Sequence, residues 1–133
     1  MNDGAGAFYV DNVYAPAPTA DLVVNYLKTW VYPDDYYLTP GADIQRGKTV
    51  FMYSQISDAE TPSNQLTVSI SYRLQGGGWT TASATYSPGG GYWYVDWVVP
   101  GGAAAGLYDV KVEVSDPNGG SASSTQTGRF NIV

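Results

Sequence analysis

Two residue types are missing from the chain: it has no cysteine and no histidine. The first absence excludes disulfides and thiolate metal sites. The second removes the side chain that most often serves as general base, zinc ligand or switch near neutral pH. Basic residues are sparse. Lys28, Arg46, Lys48, Arg73, Lys111 and Arg129 are the whole set, against 12 carboxylates, for a net charge of −6. Spread singly along the chain, they make no stripe for a phosphate backbone and no patch for an anionic lipid surface. No nucleic-acid partner and no membrane insertion are therefore expected. No apolar run approaches the roughly 20 residues of a membrane-spanning helix. The first residues lack a basic stretch followed by an apolar block, so they are not read as a secretory leader. Glutamate occurs only at Glu60 and Glu113, and with so few strong helix formers long surface helices are not expected.

What the chain has instead is strand and turn material. It carries 12 Tyr, 4 Trp and 3 Phe, with 16 Gly and 8 Pro to punctuate them, and β-branched and aromatic residues favour strands. A length of 133 residues suits one domain with a core of its own. From Thr49 onward side chains of one kind recur at every second position. Val50, Met52, Ser54 and Ile56 alternate with Thr49, Phe51, Tyr53 and Gln55, and Leu66, Val68, Ile70 and Tyr72 alternate with Thr67, Ser69 and Ser71. The runs QGGG and SPGGG turn the chain on either side of WTTASATY, which reads as one returning strand. Trp93, Val95, Trp97 and Val99 share a face of the next strand, opposite Tyr92, Tyr94 and Asp96. Tyr108, Val110, Val112 and Val114 alternate with Asp109, Lys111 and Glu113, which places Asp96 and Asp109 on outward, solvated faces. The last strand, SSTQTGRFNIV, points Phe130 and Ile132 inward. The run DLVVNYLKTWVY fits helical spacing at Val23, Tyr26, Leu27 and Trp30, but its β-branched and aromatic content favours a strand. YPDDYYLTPGAD follows it as a loop. About seven short strands separated by turns make an all-β chain, an antiparallel β-sandwich with Greek-key connections.

Taken in order, RGKTVFMYSQISDAE, LTVSISYRLQGGGW, GYWYVDWVVP, GLYDVKVEVSDPNGG and GRFNIV resemble an immunoglobulin-like (Ig-like) repeat of the kind found in tandem on bacterial and archaeal cell-surface proteins. The likeness runs from Leu27 to Val133 and rests on the order of the segments, not on any one motif. It implies an Ig-like β-sandwich domain over residues 22–133. It also implies that Tyr108, entering the sixth strand after a loose corner, forms a tyrosine corner, with its ring on the core and its hydroxyl on a nearby backbone carbonyl. The chain departs from the antibody type in lacking the cysteine pair. Its core tryptophans, Trp93 and Trp97, fall on the fifth strand and not the third.

The two ends of the chain repeat one another. GAFYV at residues 6–10 and GRFNI at residues 128–132 both read Gly, one residue, Phe, one residue, then a β-branched residue. In a tandem array, residues 1–12 would be the last strand of a preceding repeat, and residues 13–21, with Pro16 and Pro18, a stiff linker. The plainer alternative is chance similarity of two short β segments. A lone strand with Phe8 and Val10 on one face and Tyr9 on the other has no sheet of its own, which suits it to complete a neighbour's sheet edge. Repeated head to tail, such strand addition builds a fibre.

Candidate sites each have a rival explanation. Asp58 and Glu60 follow the second strand, Asp116 and Asn118 the sixth, and in this fold both loops reach the pole where Asp11 and Asn12 arrive. These oxygen-bearing side chains match calcium, which takes six to eight oxygen ligands; alternatively, each closes its own turn. Tyr92 and Tyr94 on a strand, with Tyr32, Tyr36 and Tyr37 in a loop, are candidate carbohydrate contacts, or else they stabilise the sheet as cross-strand pairs and cover the end of the core. No catalytic residue is singled out. Asp34 and Asp35 read as a solvated loop pair, the serines have no histidine or evident lysine to activate them, and the glycine runs lead into no helix that would cradle a phosphate.

These features point away from an enzyme and toward a structural module: a spacer, stalk or fibre unit of an extracellular or cell-surface assembly, partnered by identical or similar Ig-like units. Calcium is the one cofactor they suggest. Two rivals stand beside this reading. One is a carbohydrate-binding accessory domain of a secreted hydrolase. The other is a virion decoration protein, assembled inside the cell from a chain that starts at Met1 without an export signal.

Overall fold

The alternation in the sequence becomes ten strands in two five-stranded sheets. The computed structural model describes residues 22–59 and 61–133. The expected extra strand over residues 1–12 and the linker over residues 13–21 lie outside the described residues. The strands are β1 (Val23–Tyr32), β2 (Tyr36–Tyr37), β3 (Ala42–Ile44), β4 (Thr49–Ser57), β5 (Thr67–Leu74), β6 (Thr80–Ser83), β7 (Thr85–Ser87), β8 (Tyr92–Val98), β9 (Gly106–Ser115) and β10 (Ser121–Ile132). One sheet has the order β2-β1-β4-β8-β7 and the other β3-β10-β9-β5-β6. Every pairing is antiparallel except β3 beside β10, which is parallel. No described helix is long and apolar enough to cross a membrane.

The two sheets form a β-sandwich because each presents one apolar face. Leu27, Val31, Val50, Met52, Ile56, Trp93 and Val95 from the first sheet meet Val68, Ile70, Val110, Val112, Val114, Phe130 and Ile132 from the second, all buried. Burying one such side chain contributes about 1.5–3 kcal/mol. The run Val23–Tyr32 is a strand, as its β-branched content predicts, with alternate residues Leu27, Thr29 and Val31 turned inward.

Two connections differ from the sequence reading. WTTASATY is not one returning strand. It pairs with β5 as far as Ser83, then crosses and pairs with β8 from Thr85. The small side chains Ala82 and Ala84 let the backbone change sheets against the core, and Tyr86 then packs on Trp93 with ring centroids 4.5 Å apart. The expected loop after Tyr32 holds two short strands. Residues 36–44 pair first with β1, through Trp30 opposite Tyr37, and then with β10, through Phe130 opposite Ala42. Between them Leu38, fully buried, plugs the gap between the sheets.

The path of the chain defines two poles. Val23 lies opposite Ser57, and Thr67, Ser115 and Ser121 line up across the second sheet, so these residues mark the lower pole. Thr49 lies opposite both Tyr32 and Val98, and Gly106 lies opposite Ile132, at the upper pole. There Arg46 clasps the sheets, donating from Nε to the Ala103 carbonyl at 2.8 Å and from Nη1 to the Val133 carbonyl at 2.9 Å. The chain thus enters β1 at one pole and completes β10 at the other.

Candidate functional site

Among the described residues, the seam between β1 and β10 is closed in its upper half and open in its lower half. Residues 36–44 cover the outer edge of β1 at Trp30 and Val31 and that of β10 from Phe130 to Ile132. Backbone bonds from Leu38 to the Thr29 carbonyl (3.0 Å) and from Gly41 to the Arg129 carbonyl (3.1 Å) complete the closure. Below that point no described strand pairs with the outer edge of β1 over residues 23–28 or of β10 over residues 121–127. A cleft of about 660 Å³ runs between these two edges, lined among others by Val24, Tyr26, Lys28, Tyr37, Gln126 and Arg129.

A bulge in β10 shapes the top of this cleft. Tyr108 faces Phe130 and Val110 faces Gln126, so three residues of β10 stand opposite Asp109 alone. Gly128 takes φ +59°, where a residue without Cβ is favoured. Its amide donates to Asp109 Oδ1 at 2.9 Å. Arg73 Nε and Gln75 Nε2 also donate to the carboxylate, at 3.0 and 3.1 Å. Asp109 is therefore buried, 2% exposed, which corrects the expectation that it faces solvent. Strict alternation fails here because the bulge and two long side chains roof over an outward position. Burial pushes its pKa up, but the Gly128 amide, Arg73 and Gln75 outweigh burial and hold it below the usual carboxylate range.

The same bulge turns Arg129 into the seam, where it is 3% exposed. Its Nη2 donates to the Tyr37 hydroxyl at 3.0 Å, and its guanidinium lies 5.5 Å from that ring. Its Nε and the nearby Gln126 Oε1 are buried with no hydrogen-bond partner among the described residues. No described carboxylate forms an ion pair with it.

The residues suggested for calcium are only partly in view. Asp11, Asn12 and Glu60 lie outside the described residues. Asp58 and Asp116 both follow strands that end at the lower pole. Asp116 Oδ1 accepts the amides of Asn118 (2.9 Å) and Gly120 (2.7 Å), so this carboxylate closes its own turn. Asp58 is half-buried, and the Asn118 side chain is exposed. Among the described residues no three of Asp, Glu, His or Cys gather as metal ligands would.

Three of the five tyrosines proposed for sugar contact come together. Tyr32, Tyr92 and Tyr94 share the outer face of the first sheet with Phe51, Tyr53 and Tyr26. Phe51 stacks on Tyr94 with centroids 5.0 Å apart, whereas it meets Tyr32 and Tyr92 edge to face at 5.9 Å each. Asp96 stands at the rim of this patch, where desolvation raises its pKa. Tyr36 and Tyr37 are not part of the patch. Tyr36 is exposed opposite Val31, and Tyr37 belongs to the seam.

Tyr108 is buried, and its hydroxyl donates to the Ala104 carbonyl at 2.8 Å, four residues upstream. Its ring stacks on Phe130 at 5.3 Å. Asp34 pairs with Lys48 and Asp35 accepts the Trp30 indole N–H at 2.9 Å; both stand exposed in the turn after β1, where a solvated loop pair was expected. Sequence reasoning missed the seam and the buried Arg129. The only signal was Gly128 inside an otherwise regular strand, a mark of a bulge. No model of a known protein family matches the chain, and no curated protein matches it.

Proposed function

We propose that the chain is an Ig-like, non-catalytic structural module: a spacer, stalk or fibre unit of an extracellular or cell-surface assembly, joined end to end with units of its own kind. The observation that carries this reading is the placement of entry and exit at opposite poles. A unit threaded that way adds its full length to whatever it joins. At about 3.3 Å per residue, ten residues of β1 amount to roughly 33 Å. The Ig-like assignment draws support from the strand order of the two sheets and from the hydrogen bond of Tyr108 to the carbonyl four residues before it. The test is a covalent tandem of two copies measured by small-angle scattering. The maximum dimension should grow by about one strand length or more over the single chain. A compact, folded-over pair would end this reading.

The outer aromatic face favours a second reading, a carbohydrate-binding accessory domain, because Tyr32, Tyr92 and Tyr94 meet Phe51 close to a carboxylate. Edge-to-face packing, however, turns several of these rings against each other and away from a flat ligand. That is the geometry of cross-strand stabilisation, and it ranks this reading second. Retention on insoluble polysaccharide that is lost in Tyr92→Ala and Tyr94→Ala would reverse the order.

A further inference from the structure

We infer that the open lower seam is an acceptor for the N-terminal strand of a second copy of this chain, with residues 6–10 adding to the free edge of β10. The inference rests on the end-to-end reading above and names the contact by which two units join.

The two free edges flanking the cleft are not equivalent. The β1 edge carries a register shift at Asn25 and the charged Lys28, and both features discourage strand pairing. The β10 edge over residues 121–127 has no proline and no charge. It keeps an unbroken register with β9 from Val110–Gln126 to Ser115–Ser121, so its outward amides and carbonyls are evenly presented. Ala122, Ser124 and Gln126 are half-buried there and small or polar, where the upper half of the same strand buries Phe130 and Ile132. Phe8 and Val10, alternating on one face of an incoming strand, supply the apolar bulk this half lacks.

Charge points the same way. The cleft presents Lys28 and the buried Arg129, which has no carboxylate partner, and whose Nε has no hydrogen-bond partner, among the described residues. Residues 1–21 contain Asp3, Asp11 and Asp21 and no lysine or arginine. The upper half of the seam shows that an extended segment seals this geometry, since residues 36–44 do so there. Pro16 and Pro18 stiffen the spacer 11–21, which at about 3.1 Å per residue reaches roughly 34 Å. That reach matches the roughly 33 Å length of one unit, so the strand can arrive at the lower half of a neighbour joined end to end. Each copy then has one donor and one acceptor, and the contact does not close on itself.

Two full-length variants test this, Phe8→Asp in the donor and Ser124→Lys in the acceptor, read by sedimentation and by hydrogen exchange at residues 121–127. The unaltered chain should assemble as its concentration rises, with exchange at 121–127 slowing in step. Each variant alone should stay monomeric, its association weakened at least about tenfold. Mixed in equal amounts, the two should form dimers and stop, because one intact junction remains. Assembly of Phe8→Asp like the unaltered chain would overturn the inference. So would slow exchange independent of concentration, which means the chain fills its own cleft, or a monomer with fast exchange at every concentration. If Ser124→Lys fails to fold, Phe8→Asp and the exchange data still decide. The end-to-end reading stands or falls separately, on the length of the covalent tandem.

Discussion

The two halves of the β1–β10 seam are built from the same pair of strands, yet among the described residues only one is sealed. In the upper half residues 36–44 lie across the gap, Leu38 fills it, and Phe130 and Ile132 pack beneath. In the lower half the same strands present Val24, Tyr26, Ser124 and Gln126 to an open cleft. The difference teaches how the two strands that meet at the seam are covered. In one half a third segment and the side chains of Leu38, Phe130 and Ile132 close the gap, while in the other, among the described residues, both strand edges are left unpaired.

The comparison can be broken by substitution. The largest effect is expected for Phe130→Ala, which removes a fully buried ring stacked on Tyr108 and should cost about 3–5 kcal/mol in a urea titration. Next is Asp109→Asn, which weakens the tie on the bulge dividing the two halves and should cost about 2 kcal/mol at neutral pH. Its sign with pH follows from a folded pKa held below the unfolded value of about 3.9. The carboxylate's contribution is complete above that value and is lost as pH falls through the folded pKa. Wild type and variant should therefore converge in stability in acid and separate again at neutral pH.

Smaller effects sharpen the same contrast. Tyr108→Phe deletes only the bond to the Ala104 carbonyl and should cost about 1 kcal/mol. Gly128→Ala meets no close contact but forces a side chain into φ +59°, again about 1 kcal/mol. Ser124→Val in the lower half should change stability by no more than about 0.5 kcal/mol. If it costs as much as the upper-half substitutions, the two halves are energetically alike and the contrast drawn here is wrong.

The β-sandwich was legible because its signal is local and periodic. Val110, Val112 and Val114 alternate with Lys111 and Glu113, and nothing in the fold competes with that pattern. The strand at 23–32 followed from β-branched content over an ambiguous spacing. Where the reading failed, a long-range arrangement decided. Asp109 has the pattern of a solvated residue and is buried only because Gly128, 19 residues further on, brings its amide across while Arg73 and Gln75, 36 and 34 residues back, fold over it. Residues 36–44 have the composition of a loop and become two strands because each finds an unoccupied edge. The seam itself belongs to no sequence segment. It exists only once strands at the two ends of the described chain lie side by side.

Because residues 22 and 133 leave the sandwich at opposite poles, tension applied between them runs along the strands. β1 is dragged against β4 and β10 against β9, each over nine registered pairs. Loaded in shear, those rungs share the force instead of opening in turn, and rupture then follows the unfolding rate. A sandwich threaded in this way gives like a fuse, holding until it fails as a whole.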